Sequence, residues 1–137
     1  MEKKIRLLIV DDDADDSKFF VDAVKEIHAS IDCSIAKDGQ QAMELLKNTT
    51  ENLPDYIFLD LKMPRYNGRK CLVELKSDPD LKHIPVFIYT TSREVEESAE
   101  LKSMGAIHFI SKPTDPEEIY YVISHILEEQ LFSEQKD

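Results

Sequence analysis

The chain has 137 residues, 42% of them hydrophobic and 33% charged, and its 28 acidic against 17 basic side chains give a formal net charge of -11. This length suits one domain with a real core, and the acidic excess argues against unassisted binding to nucleic acid or anionic membranes, which need Lys and Arg to neutralise phosphate. No apolar run approaches the ~20 residues of a membrane helix, the start Met1-Glu2-Lys3-Lys4 lacks a signal-peptide cleavage region, and two cysteines, Cys33 and Cys71, fit a reducing cytoplasm rather than a disulfide framework.

Ile5 to Val10 is a first apolar run and ends in Asp11-Asp12-Asp13. Phe19, Phe20, Ala23, Val24 and Ile27 then trace one face of a helix. Asp15, Asp16 and Asp13 suit its first turn, where carboxylates meet the positive end of the dipole. Asp11 and Asp12 lie before the helix and have no such explanation. Cys33 to Ala36 predicts a short strand, and Lys37-Asp38-Gly39 turns into a helix carrying Ala42, Met43, Leu45 and Leu46. After a polar loop, Tyr56-Ile57-Phe58-Leu59 reads as a strand buried on both faces that ends on Asp60.

Beyond Pro64, Asn67-Gly68 leads into a helix with Cys71, Leu72 and Leu75, which Ser77-Asp78-Pro79 breaks. Val86 to Tyr89 predicts a fourth strand running into Thr90-Thr91-Ser92. A weakly amphipathic helix over roughly 94–103 follows, with Gly105 as its C-cap. Ala106 to Ile110 predicts a fifth strand, ending in Ser111-Lys112-Pro113. Asp115-Pro116 starts a last helix striped by Ile119, Val122, Ile123, Ile126 and Leu127. Five strand-plus-helix units with short connections specify a doubly wound α/β domain, a parallel sheet with helices on both faces. The domain is expected over 1–128, with 129–137 a short polar tail.

Parallel strands place their carboxyl ends on one edge, where open α/β folds bind ligands. Asp11, Asp12, Asp60, Thr90 and Lys112 would meet there. Three crowded carboxylates against one ammonium call for a further cation, and a hard divalent ion such as Mg2+ suits them. Asp60 could then attack phosphorus and form an acyl phosphate, while Lys112 and the Thr90 hydroxyl stabilise the transferred oxygens. The four histidines, His28, His83, His108 and His125, fall on different elements, which argues against zinc.

Val10-Asp11-Asp12, Leu59-Asp60 followed by Met63-Pro64, Thr90, and Lys112-Pro113, in this order at successive strand ends, resemble a response-regulator receiver domain over about residues 4 to 128. The resemblance implies a flavodoxin-like five-stranded sheet of order 2-1-3-4-5, with Asp60 the phosphoacceptor. It makes Asp12 a direct Mg2+ ligand, Asp11 a ligand acting largely through water, and the Lys62 backbone carbonyl a third. Thr90 and Lys112 become phosphoryl contacts, Thr90 a switch residue, and Lys112-Pro113 a cis peptide.

Phe109 occupies the place of an aromatic switch and reads equally well as a core aromatic. A lysine at position 62 is unusual for the pattern, so phosphoryl lifetime is expected to depend on Lys62 and Ser92. The resemblance implies a cytoplasmic protein that receives its phosphoryl group from a sensor histidine kinase or a phosphotransfer protein. With only a polar tail after the last helix, output is expected through an unknown protein target, or a homodimer formed by the fourth and fifth helices. The stretch 78–86 and Thr90-Thr91-Ser92 are similar to stand-alone receivers that partner phytochrome-like kinases. On this reading the chain is no enzyme beyond its own phosphorylation and dephosphorylation.

The alternative is an Mg2+-dependent phosphohydrolase with Asp11 of the 11–13 triplet as nucleophile. A flavodoxin-like nucleotide-binding module fits poorly, because the loop after the first strand is acidic and the chain has only three glycines.

Overall fold

The computed structural model describes residues 5–48, 52–63, 67–91 and 95–129. Within them run β1 (Arg6–Val10), α1 (Ala14–Ile27), β2 (Asp32–Ala36), α2 (Gly39–Asn48), β3 (Tyr56–Leu59), α3 (Gly68–Ser77), β4 (Val86–Thr90), α4 (Val95–Ser103), β5 (His108–Ser111) and α5 (Pro116–Leu127). The strands form one sheet in the order β2-β1-β3-β4-β5, every pair parallel. This is the expected architecture.

Period-two alternation sorts the strand side chains into two cores. Leu8, Val10, Ile57, Leu59, Val86 and Ile88 face one way and pack with Ala42, Met43 and Leu46 of α2, Cys71, Leu72 and Leu75 of α3, and Leu101 of α4. Leu7, Ile9, Phe58, Phe87 and Tyr89 face the other way, onto Phe20 and Val24 of α1 and Ile119, Ile123 and Leu127 of α5. Helices on both faces explain why the central strands are apolar runs without polar alternation. The fully buried aromatics, Phe20, Phe58, Phe87 and Tyr89, all lie on the α1–α5 side. There the Phe58 and Phe87 rings stack with centroids 4.8 Å apart, and Phe20 tilts against Phe58 at the same distance.

The helix starts follow from short polar caps. The Asp13 carboxylate accepts the Asp15 and Asp16 N–H groups at 2.9 and 3.0 Å. Asn67 caps α3 through the Lys70 N–H, and Asp115 caps α5 with Pro116 in its first turn. At the other end of α4, Gly105 adopts a φ of 112°, a left-handed conformation that glycine adopts without steric cost.

Two expectations are corrected. The fifth strand is shifted from 106–110 to His108–Ser111, because the Ala106 N–H still donates to Leu101 O at 3.1 Å and so belongs to the turn closing α4. Lys112-Pro113 is trans, since no cis peptide occurs among the described residues. The trans isomer is intrinsically preferred even before proline, and with it Lys112 already reaches every partner described below.

Candidate functional site

Main-chain pairing carries both acidic strand ends one residue beyond their strands. The Asp11 N–H donates to Ala36 O at 3.0 Å and the Asp60 N–H to Val10 O at 2.9 Å. On the far side, the Lys112 N–H donates to Thr90 O at 2.7 Å. The carboxyl edge of the sheet therefore fixes Asp11, Asp60, Thr90 and Lys112 by backbone hydrogen bonds before any side chain is considered.

The side chains converge as expected from the sequence. Lys112 Nζ lies 2.6 Å from Asp11 Oδ2 and 3.2 Å from Asp60 Oδ2, and all three groups are buried. Asp11 Oδ1 also accepts the Asp13 N–H at 3.0 Å, whereas among the described residues Asp60 Oδ1 has only a long contact, 3.3 Å, from the Lys62 N–H. Asp11 is thus fully engaged and Asp60 loosely held. Asp12 is exposed at the rim. Among the described residues the buried Thr90 hydroxyl has no hydrogen-bond partner, a state that normally costs free energy.

Burial pushes the Asp11 carboxyl up to about 6, and the charge of Asp60 adds to the rise, against the opposing hydrogen bonds of Lys112 and the Asp13 N–H. Burial alone would depress the Lys112 ammonium, but the Asp11 hydrogen bond and the charges of Asp11 and Asp60 outweigh it and raise its pKa. Asp11 rises chiefly because it is buried, whereas Lys112 rises because several anions surround its one charge. Lys112 gains from all of them, and its single charge is set against three carboxylates.

That imbalance is the test of whether the site suits a cation. Asp11, Asp12 and Asp60 each offer an oxygen, and the three oxygens lie within 4.8 Å of one another. Clustered carboxylate oxygens with a surplus of negative charge fit a hard divalent ion. Among the described residues no other group of His, Cys, Asp and Glu side chains of this size gathers so closely.

One neighbour was not picked out from the sequence as part of this site. Asp16, assigned there to helix capping, places Oδ2 3.0 Å from Lys112 Nζ. Its position five residues after Asp11, in the first turn of α1, was the available signal. Tyr89 sets its ring 5.8 Å from the same ammonium, and burial pushes its phenol up to about 12.

Lys62 is exposed, and Phe109 is half-buried against the α2–α3–α4 core. Of the described side chains of α4 only Leu101 is buried, in keeping with its weak apolar stripe. Pro64, Tyr66 and Ser92 lie outside the described residues.

An open parallel sheet whose carboxyl edge gathers an acidic cluster, a lysine and a buried hydroxyl is the arrangement of a phosphoryl-accepting signalling domain. The sequence matches the response regulator receiver domain family over residues 7–124, and the chain belongs to that family. Its members take a phosphoryl group on aspartate in two-component signalling, bind divalent metal, and interact with histidine kinases or phosphotransfer proteins.

Response regulator Rcp1 of Synechocystis sp. is 29% identical over 124 residues, covering 88% of this chain and 84% of Rcp1. The structure of its Mn(2+)-bound form matches with a TM-score of 0.81 at 28% identity, covering 90% of this chain and 92% of that one. The phosphorylated cyanobacterial phytochrome response regulator RcpA matches with a TM-score of 0.88 at 27% identity, covering 96% of each chain. A protein-glutamate methylesterase/protein-glutamine glutaminase of Pyrococcus abyssi is 35% identical over 115 residues, 82% of this chain but 29% of the relative's length. Among the described residues no helix is long and apolar enough to cross a membrane.

Proposed function

We propose that Asp60 is the phosphoacceptor of this receiver domain. The observation that carries the assignment is the unequal engagement of the two buried carboxylates. Both oxygens of Asp11 are held at 3.0 Å or less, whereas those of Asp60 have contacts of 3.2 and 3.3 Å. A carboxylate with weak partners keeps its lone pairs available for attack. In the step, an Asp60 oxygen forms a bond to phosphorus as the bond to the donor's leaving group breaks, and that electron pair departs with the leaving group.

Lys112 neutralises the transferred oxygens, and the unpaired Thr90 hydroxyl gains in the phosphoryl group the partner it lacks in the resting state. Asp11, Asp12, Asp60 and the Lys62 carbonyl are the groups that would hold Mg2+, which when bound supplies positive charge against the phosphoryl oxygens. The same engagement of Asp11 disfavours the phosphohydrolase alternative, which needs Asp11 as its nucleophile.

The protein acts in the cytoplasm, receiving its phosphoryl group from a histidine kinase or phosphotransfer protein. Similarity to Rcp1 and RcpA across most of their lengths supports a stand-alone receiver paired with a phytochrome-type kinase. Its output is a protein contact or homodimer formed by α4 and α5, with Phe109 beside them as a packing switch. It has no chemistry beyond its own phosphoryl gain and loss.

The test is incubation with Mg2+ and acetyl phosphate followed by intact mass measurement. A base-labile phosphoryl adduct is expected in the wild type and in Asp11→Asn at reduced rate, and none in Asp60→Asn. Labelling kept in Asp60→Asn and abolished by Asp11→Asn would instead establish the phosphohydrolase arrangement.

A further inference from the structure

An ammonium has three hydrogens to donate, and all three of Lys112 are taken up by carboxylates. The partners are Asp11 at 2.6 Å, Asp16 at 3.0 Å and Asp60 at 3.2 Å. A phosphoryl oxygen arriving on Asp60 can be bonded only if Lys112 gives one of these up. The three are not equally easy to release.

Asp11 is the shortest contact and is buried, so abandoning it would leave a charge without water. Asp60 carries the incoming group itself. Asp16 is the exception, with a side chain 33% exposed against 1% for Asp11, so water can replace the lysine there. Nor does Asp16 belong to the carboxylate group able to hold a divalent ion. Its charge therefore stays undivided on Lys112 when a cation takes its share of Asp11 and Asp60.

Two details show that this contact is not a by-product of helix capping. The Asp16 main-chain N–H is satisfied by the Asp13 carboxylate, so the Asp16 side chain is not needed at the helix start. Asp15, in the same turn, is exposed and has no contact with Lys112.

We propose that Asp16 is a positioning residue of the phosphoryl reaction: a releasable anchor that draws Lys112 away from Asp60 in the resting state and so restrains both capture and retention of the phosphoryl group. This inference rests on Asp60 as phosphoacceptor. Neutralising Asp16 frees one lysine donor for the phosphoryl oxygens and removes an anionic competitor for it. Capture becomes faster and the acyl phosphate longer-lived.

The experiment measures labelling by acetyl phosphate with Mg2+, and the half-life of the adduct after donor removal, in wild type, Asp16→Asn, Asp16→Glu and Asp15→Asn. Asp16→Asn is expected to raise the labelling rate and lengthen the half-life by about fivefold each, the scale of one partly exposed ion pair. Asp16→Glu restores the charge and is expected to return both values towards wild type. Asp15→Asn removes the same charge from the same turn and is expected to change neither, which separates anchoring of Lys112 from bulk electrostatics.

Unchanged or slower labelling in Asp16→Asn, an equal gain in Asp15→Asn, or acceleration by Asp16→Glu would each overturn the proposal while leaving Asp60 as acceptor. A wild type that takes no label would overturn both.

Discussion

Gly68 rests directly on the main chain of Asp60. A Cβ at Gly68 would overlap the Asp60 carbonyl oxygen and come within 2.7 Å of Leu61 Cα, and the Gly68 N–H donates to Leu61 O at 3.2 Å. The first turn of α3 is therefore the floor on which the acceptor turn sits. Gly68→Ala gains helix propensity of up to about 1 kcal/mol but must displace backbone, and overpacking of this kind costs about 1–3 kcal/mol. Urea unfolding is expected to show net destabilisation, and labelling of Asp60 to slow in the same variant because the acceptor moves with the turn. A Gly68→Ala protein of wild-type stability and labelling rate would show that the turn can give way freely.

The buried, unpartnered Thr90 hydroxyl separates function from folding. Thr90→Val replaces it with a methyl group of nearly the same shape. Leaving a buried hydroxyl unsatisfied costs roughly 1–3 kcal/mol, so the valine variant is expected to be as stable as wild type or more so, by up to about 2 kcal/mol. The phosphorylated state, by contrast, should lose its threonine contact and with it part of the structural response. Unfolding curves of the unphosphorylated protein, paired with spectra recorded before and after phosphorylation, read both effects. Loss of stability in Thr90→Val would mean that the hydroxyl has a resting partner.

These two positions also show what could be read in the sequence. The fold and the convergence of Asp11, Asp12, Asp60, Thr90 and Lys112 were legible because each strand ends on a chemically distinctive residue and parallel topology alone brings those ends together. Asp16 was not, because an acidic residue in a first helical turn already has a sufficient local reason, and its contact with Lys112, 96 residues away, is tertiary. The intimate role of Gly68 was hidden likewise. Asn67-Gly68 marks a turn in any sequence, but contact with a main chain eight residues earlier is tertiary. The trans Lys112-Pro113 bond and the late start of β5 depend on energetics and turn closure that pattern does not encode.

Cys33 and Cys71 should be poor nucleophiles in the native protein. Burial pushes the Cys33 thiol up to about 11 and the Cys71 thiol up to about 12. A higher thiol pKa means less thiolate at a given pH, and a rise of about two units lowers the thiolate fraction roughly 100-fold. With iodoacetamide near pH 8, both are expected to react far more slowly than a free thiol. Half-buried Cys33 should react before Cys71, which sits in the α3 core. Rapid alkylation of Cys71 without denaturant would show that α3 opens readily.

The acidic cluster makes stability depend on pH in opposite senses with and without metal. Asp11 has its pKa raised from 3.8 to about 6, chiefly by burial, so the folded state holds this proton more tightly than the unfolded chain. The group's stabilising contribution is therefore fully present below pH 3.8 and is lost as the pH rises through about 6. For the metal-free protein this carboxyl alone disfavours folding at neutral pH relative to mild acid. A divalent cation needs the ionised form, and binding displaces the proton. The gain in thermal midpoint on adding excess Mg2+ should accordingly be largest near pH 7.5 and shrink as the pH falls through about 6 towards 5. Thermal melts with and without the ion across this range measure it. A shift of equal size at both ends would mean that Asp11 is already ionised in mild acid, and that Lys112 compensates it more completely than burial penalises it.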